Sequence, residues 1–565
     1  MLLPPPSFTI LLHDPSGIRG PARVVLNNGR FHAIERLPGG TPTGAGTSSG
    51  SAVPAGSAVT PGSAVPAGSA VTPGSAVPAG SAVDLYLTPG FVDAHTHMLG
   101  LGLSALKPDL EATRSRDEAY EALRSWLRAH PGDRPVVAEG WDQSTWSDQS
   151  LPTREDLDRI ERRRPIALRR VCGHIAVLNS GALEALGTDW PDLDPGTGLA
   201  KEALPLSLSQ IWPASPEERD HAVSTAQQLA LEQGVVEVHE MGNANTFRAF
   251  SKASMEGRLS LRIAHYFAAS QLDSLAGTGA AAGFGDDVLR LAGLKIFLDG
   301  SFGGRSAAVS VRYEDAPADA GGEEGRGQLL WQDAALEDLL RRAALAGWPV
   351  AMHAIGDRAI DQAVSTVERL RRQGVAAAPP GPRLEHAEML TPLLLERALA
   401  AGFFLSMQPN FTARWQGAGQ LYELALGVDR AAALNPFASA DRSDRLLLGS
   451  DTMPLGPLGG LPGATAHPLK QERLSWDRAL RAYSQTAWQA LARPFSRGML
   501  AAGERATFVL LAGARPLAPE EVSVAATCVD GVFRYVAPGY QREVEALCGG
   551  AEHPARGLAP DGVRA

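Results

Sequence analysis

Eight short apolar runs, most of them separated by helix-like stretches, constrain the fold of this chain more than any other feature. They are Phe91–Ala94, Val235–Val238, Leu259–Ile263, Leu294–Leu298, Val350–Met352, Arg383–Leu384, Phe403–Ser406 and Leu446–Leu448, and each ends in polar residues. Among the intervening segments, Asp357–Gln373 sets Val364, Val367 and Leu370 on one side at helical spacing. Strands that alternate with helices pair in parallel, because a parallel neighbour needs a long return connection and a helix supplies it. Eight such units predict an α/β fold, a (β/α)8 TIM-type barrel, in which chemistry sits at the C-terminal ends of the strands.

The spacing of the runs also predicts what lies outside the barrel. About residues 100–230, between the first and second runs, are too many for one crossover and carry their own strand-like pieces, Pro135–Ala138 and Ile166–Val171. They read as a large insertion over the barrel mouth. Near the start, Ala22–Leu26 and Arg30–Ile34 flank Asn27-Asn28-Gly29, a strong hairpin signal. Near the end, β pattern returns in Ala506–Leu511, Val522–Ala526 and, after Val529-Asp530-Gly531, Val532–Tyr535. Residues 1–87 and 498–565 are therefore expected to build one small β-sandwich beside a barrel at 88–497. From Ser51 the hexapeptides SAVPAG and SAVTPG alternate to about residue 83. Dense Pro, Gly, Ser and Ala bury little apolar surface, so this stretch reads as an exposed loop; a β-helix would need larger apolar side chains to fill its coil.

Composition narrows the function. The chain has 565 residues, more than one compact core accommodates. A net charge of -10, with no run of Lys and Arg, argues against nucleic acid, whose phosphates need a basic surface. No stretch is apolar enough for long enough to span a bilayer, and Met1–Leu12 lacks the charged start and cleavage site of a signal peptide. Cys172, Cys528 and Cys548 are too few and too scattered for a disulfide framework or a thiolate zinc site. The expected setting is the cytoplasm and the expected partner a small-molecule substrate, with homo-oligomerisation left open.

The strand ends carry the chemistry. His95-Thr96-His97 closes the first run; two histidines at i and i+2 on a strand point the same way, so both rings can reach one ion. Behind them stands the apolar Pro89–Ala94, and two buried imidazoles need a partner. His353 and His386 follow the fifth and sixth runs. Each alone is more often a satisfied core residue than a ligand, but parallel strands converge on one cavity. Asp451 follows the eighth run and reads equally as a metal ligand or as the cap of a following helix. Lys295, one of only five lysines, lies inside the apolar fourth run. It could pair with Asp299 or, beside metals, react with carbon dioxide to form a bridging carbamate; the residues alone leave both open.

Taken together, PGFVDAHTH (Pro89–His97), KIFLDGS (Lys295–Ser301), HAIGDRA (His353–Ala359), RLEHAE (Arg383–Glu388), SMQP (Ser406–Pro409) and GSD (Gly449–Asp451) make the chain resemble amidohydrolase family 3 of the amidohydrolase superfamily. The resemblance runs over roughly residues 85–535 with the motifs in order. It implies two divalent ions, one held by His95 and His97 and the other by His353 and His386. Carbamylated Lys295 would bridge them, and Asp451 would complete the first and move protons. It further implies that the segment from Gly173-His174 to Asn179, together with Arg305, binds substrate. The hexapeptide repeat is foreign to the family pattern. So is Ala506-Thr507-Phe508-Val509, where Ala-Asp usually precedes the β-run.

Two ions about 3.5–4 Å apart would share a hydroxide and polarise a carbonyl, which predicts hydrolysis of an amide or formamide-like C–N bond. Zinc is the metal an imidazole-rich site favours. The alternatives are a lactonase or esterase on the same site, a barrel that binds a small molecule without turnover, and a metal-free barrel using His and Lys as acid and base.

Overall fold

A computed structural model of the chain describes residues 7–13, 19–36, 84–147, 150–171, 173, 175–201, 203–316, 325–496, 498–513 and 521–547. The hexapeptide repeat lies outside the described residues. The strands, in order, are β1 (Ser7–His13), β2 (Arg19–Asn27), β3 (Arg30–Arg36), β4 (Asp84–Pro89), β5 (Phe91–Thr96), β6 (Val136–Trp141), β7 (Ile166–Arg170), β8 (Ile175–Leu178), β9 (Leu193–Asp194), β10 (Leu199–Lys201), β11 (Val235–Gly242), β12 (Arg262–Ala268), β13 (Leu289–Phe297), β14 (Val350–Ala354), β15 (Arg383–His386), β16 (Phe404–Met407), β17 (Leu446–Leu448), β18 (Phe508–Gly513), β19 (Ser523–Val529) and β20 (Val532–Val536). Among the described residues no helix is long and apolar enough to cross a membrane.

Eight of these strands form one all-parallel sheet in the order β17-β16-β15-β14-β13-β12-β11-β5, the predicted TIM-type barrel. Its strands are buried along almost their whole length, as a parallel sheet covered on both faces requires. Each fully buried Val, Leu or Ile contributes about 1.5–3 kcal/mol to that packing. Helix Asp357–Arg372 shows how the outer layer is held: Ile360, Val364, Val367 and Leu370 face inward along its buried stripe. The sheet closes where β17 meets β5. There the Asp451 N–H donates to His95 O at 2.9 Å, and Gly449 is required, since a Cβ at that position would stand 2.6 Å from His95 N. The third strand departs from expectation: β12 begins at Arg262, past Leu259, and continues through His265.

The seven-stranded sheet, β20-β19-β18-β4-β1-β2-β3, draws on both ends of the chain and forms the small β-sandwich. Two of its turns, β2–β3 and β19–β20, use two successive positive φ angles, Asn28 (48°) with Gly29 (72°) and Asp530 (53°) with Gly531 (76°), the type I′ geometry that matches strand twist. The turns pack against each other. A Cβ on Gly29 would stand 2.6 Å from Asp530 O, so only glycine fits. Phe31 and Phe508, from strands that are not neighbours in the sheet, bring their rings to 6.0 Å and close the core.

Of the described residues, 99–226 form a second compact unit, where an insertion over about 100–230 was expected. Its sheet runs β6-β7-β8-β10-β9 around a core that includes Leu123, Trp141, Trp146, Leu157 and Ile166.

Candidate metal centre and active site

Five barrel strands deliver the expected ligands to one place. His95 is the penultimate residue of β5 and His97 follows the strand, Lys295 lies in β13, His353 in β14, His386 closes β15, and Asp451 follows β17. The imidazole centroids are 5.5 Å apart for His95 and His97, 4.9 Å for His95 and His386, and 4.5 Å for His353 and His386. Asp451 Oδ1 stands 3.1 Å from His97 Nε2 and 3.8 Å from His95 Nε2. One ligand atom each from His95, His386 and Asp451 lies within 4.8 Å of the others.

The orientation of each ring follows from what stands behind it. His95 Nδ1 meets Glu385 Oε2 at 2.6 Å, His97 Nδ1 meets Met241 O at 3.0 Å, His353 Nε2 meets Gly300 O at 2.9 Å, and His386 Nδ1 meets Gln408 Oε1 at 2.8 Å. All four partners accept hydrogen bonds, so each ring is assigned its N–H on that side. The opposite nitrogen then keeps its lone pair. Burial first, then Lys295, pushes His95 down to about 4. Burial, then His95, pushes His386 to about 3, and burial with His386 beside it holds His353 well below the ordinary value. These rings are therefore neutral, the form that binds metal. His97 behaves differently: burial pulls it down, but the hydrogen bond and charge of Asp451 raise it overall. A proton on His97 Nε2 and a divalent cation are alternatives at the same place.

Lone pairs and a carboxylate converging on one gap fit a divalent metal, because acceptors this close repel one another unless a cation lies between them. Lys295 completes the cluster with Nζ 3.3 Å from His95 Nε2 and 4.7 Å from the Phe297 ring centroid. Burial pushes its amine down to about 8, against the opposing pull of Glu385 and Asp451. Asp299, the alternative partner for Lys295, faces elsewhere; its carboxylate accepts the N–H groups of Ala308, Ile355 and Gly356 at 2.8–3.0 Å.

Asp451 is not a helix cap. The helix that follows, Pro457–Thr465, is capped by Gly456 without a side chain. Asp451 and Thr452 instead take φ of 52° and 59°, and His386 and Ala387 take 70° and 48°. Left-handed backbone at a non-glycine costs of order 1–3 kcal/mol per residue, and such residues collect at functional sites. Here the pairs lie at or just past strand ends and set the direction of His386 and Asp451, which meet in the cluster. Asp93 supports them: its carboxylate accepts Ser450 N at 2.8 Å, Gly456 N at 3.2 Å and His95 N at 3.3 Å, tying β5 to the Asp451 loop.

The described residues among those expected to bind substrate have partners of their own. His174 lies outside the described residues. Asn179 is the buried N-cap of helix Ser180–Leu186. Its Oδ1 accepts from Ile166 N and Ala182 N, and its amide donates to Glu161 O and Arg164 O, so all four hydrogen-bonding positions are used. Arg305, at φ 54°, is paired with Asp315. The residues behind the rings, Glu385, Gln408 and the carbonyls of Met241 and Gly300, carry no signal of their own in the sequence, although Glu385 and Gln408 fall within its motifs.

An eight-stranded parallel barrel with imidazoles, a lysine and a carboxylate converging at its strand ends has the build of a metal-dependent barrel hydrolase. Residues 81–535 match the model of the amidohydrolase family, and the chain belongs to that family. It is 29% identical over 470 residues to the putative amidohydrolase YtcJ of Bacillus subtilis, covering 75% of this chain and 83% of that one. It is 25% identical to the N-substituted formamide deformylase of Arthrobacter pascens, over 80% of this chain and 89% of the relative. Among solved structures, an uncharacterized metal-dependent hydrolase from Pyrococcus furiosus superposes with a TM-score of 0.66 at 28% identity, over 78% of this chain and 88% of that one.

Proposed function

We propose that this chain hydrolyses the C–N bond of an amide or formamide-like small molecule at a site for two divalent metal ions, zinc being the metal its imidazoles favour. The observation that carries the proposal is the set of four histidines, each with one ring nitrogen bonded outward to an acceptor, gathered with Asp451 and Lys295 at the strand ends. His95 and His97 would hold one ion with Asp451, and His353 and His386 the other. When bound, such ions polarise a carbonyl and lower the pKa of water toward neutrality.

The residues of the chain do the rest. Lys295, with its amine pushed down to about 8, reaches the neutral state in which nitrogen can bond to the carbon of carbon dioxide. As the N–C bond forms, one C=O electron pair moves onto oxygen and the nitrogen gives up a proton to solvent; the carbamate would thus put a two-oxygen anion in place of a buried cation, suited to join the two ends of the cluster. Asp451 would accept the proton of the attacking water at a carboxylate oxygen and return it to the departing nitrogen. Its left-handed backbone keeps that carboxylate turned toward His95 and His97. Arg305, on the loop after β13, is a candidate for substrate contact once Asp315 is displaced.

The test is elemental analysis of the purified protein alongside a panel of N-formyl, N-acyl, cyclic amide, lactone and ester compounds. About two divalent ions per chain, amine release from an amide and loss of turnover in chelator are expected. Full activity in chelator with no bound metal would overturn the proposal. Turnover of esters or lactones alone would reassign the bond.

A further inference from the structure

Three of the four imidazoles rest on neutral acceptors: the carbonyls of Met241 and Gly300 and the amide oxygen of Gln408. His95 alone rests on a carboxylate, Glu385 Oε2 at 2.6 Å, with both side chains fully buried. The contact is long-range, 290 residues apart in sequence. Glu385 is itself clamped by Arg383, through Nε at 2.8 Å and Nη2 at 3.1 Å. Arg383 Nη1 donates to His239 Nδ1 at 2.8 Å and Tyr266 Oη at 3.0 Å, and Nη2, besides Glu385, shares its N–H groups between Ala94 O at 2.7 Å and Ser406 Oγ at 3.1 Å. The guanidinium thus grips β5 twice, at Ala94 and through Glu385 at His95.

A carboxylate behind a ligating imidazole fixes its tautomer and raises its basicity toward the metal, and charge-assisted hydrogen bonds are roughly twice as strong as neutral ones. The two ends of the site are therefore unequal. We infer that Glu385, held by Arg383, is a positioning residue that makes the His95–His97 end the tighter of the two for a divalent ion, so that this end fills first. At the other end Gln408 occupies the corresponding place behind His386 with a neutral group of the same shape.

The inference rests on the two-ion reading, and the two can fail separately. Metal-free protein would be titrated with Zn²⁺ in competition with a chelating dye, for the wild type, Glu385→Gln and Gln408→Glu, with circular dichroism to confirm folding. His353→Asn, made in the wild-type and Glu385→Gln backgrounds, removes the His353–His386 end and so identifies the steps. Wild-type protein is expected to take up two ions in distinct steps. Glu385→Gln keeps an oxygen behind His95 but removes its charge, and should weaken the tighter step by about 10–100-fold while sparing the looser one. Gln408→Glu should tighten the looser step. Folded Glu385→Gln with both steps unchanged, or with only the looser step weakened, overturns the inference. Should Glu385→Gln not fold, Gln408→Glu decides, and a looser step unchanged or weakened overturns it. Wild-type protein that takes up no ion breaks the two-ion reading instead.

Discussion

The rim of the barrel and its interior both contain buried histidines, and they differ in how their nitrogens are used. At the rim, His95, His353 and His386 each have one nitrogen bonded to an acceptor, and their rings stand side by side, 4.9 Å and 4.5 Å apart. In the interior, His239 on β11 accepts from Arg383 at Nδ1, so its lone pair is spent. His265 on β12 is fully buried between Phe247 and Phe267, away from the ligand cluster's carboxylates. Burial is common to all of them. An acceptor behind the ring and an open lone pair ahead of it are what make a ligand.

The largest expected effect lies at the rim. Asp451→Asn should lower turnover by about 10²–10⁴-fold, the usual contribution of general acid–base catalysis. Steady-state kinetics with the ions counted in the variant would check it; a near-normal rate with ions retained would remove Asp451 from proton transfer. Next comes metal content. His386→Ala should lose one of the two ions, whereas His265→Phe should keep both, by elemental analysis of the folded proteins. If His265→Phe also lost an ion, the distinction between rim and interior would break.

The same reasoning reaches outside the barrel. Asn179 has every hydrogen-bonding position taken, as His239 has its lone pair taken. Asn179→Ala should therefore cost about 1–3 kcal/mol of stability through a lost cap and unpaired backbone groups, and leave kcat/KM of the folded protein unchanged. Denaturant titration with kinetics separates this from a substrate-binding role, in which KM would rise. The smallest effect concerns pH. Burial holds His265 at about 3 in the folded chain against an ordinary 6.5. The unfolded chain thus binds a proton between those values that the folded chain does not, so the contribution is complete above pH 6.5 and is lost as pH falls from 6.5 toward about 3. His265→Phe should show a shallower fall in denaturation midpoint over that window; an identical fall would mean that His265 is not held neutral.

Legibility in the sequence followed the range of the interactions. Leu446–Leu448 coincides with its predicted run, because three leucines between Arg445 and Gly449 leave one register for a buried strand. β12 was misplaced because Arg262 and His265 interrupt its apolar pattern. Arg262 can be buried only because Asp530, 268 residues away, pairs with it. Glu385 was hidden for the same reason. In Arg-Leu-Glu-His it reads as one polar residue among several, and nothing local reveals that His95 lies against it.

What the sequence determined by itself was set by periodicity and by backbone demands. Apolar runs alternating with helical segments led to a parallel barrel, Asn28-Gly29 and Asp530-Gly531 to two tight hairpins, and His-Thr-His to two imidazoles on one strand face. Which nitrogen of each ring turns inward, whether Asp451 or Asn179 serves as a cap, and which acid backs which histidine were decided only by tertiary structure. The physical reason is that local geometry sets the direction in which a side chain leaves the backbone, whereas its hydrogen-bond partner depends on which strands become neighbours. The Asp451 N–H reaches His95 O only because the barrel closes β17 onto β5.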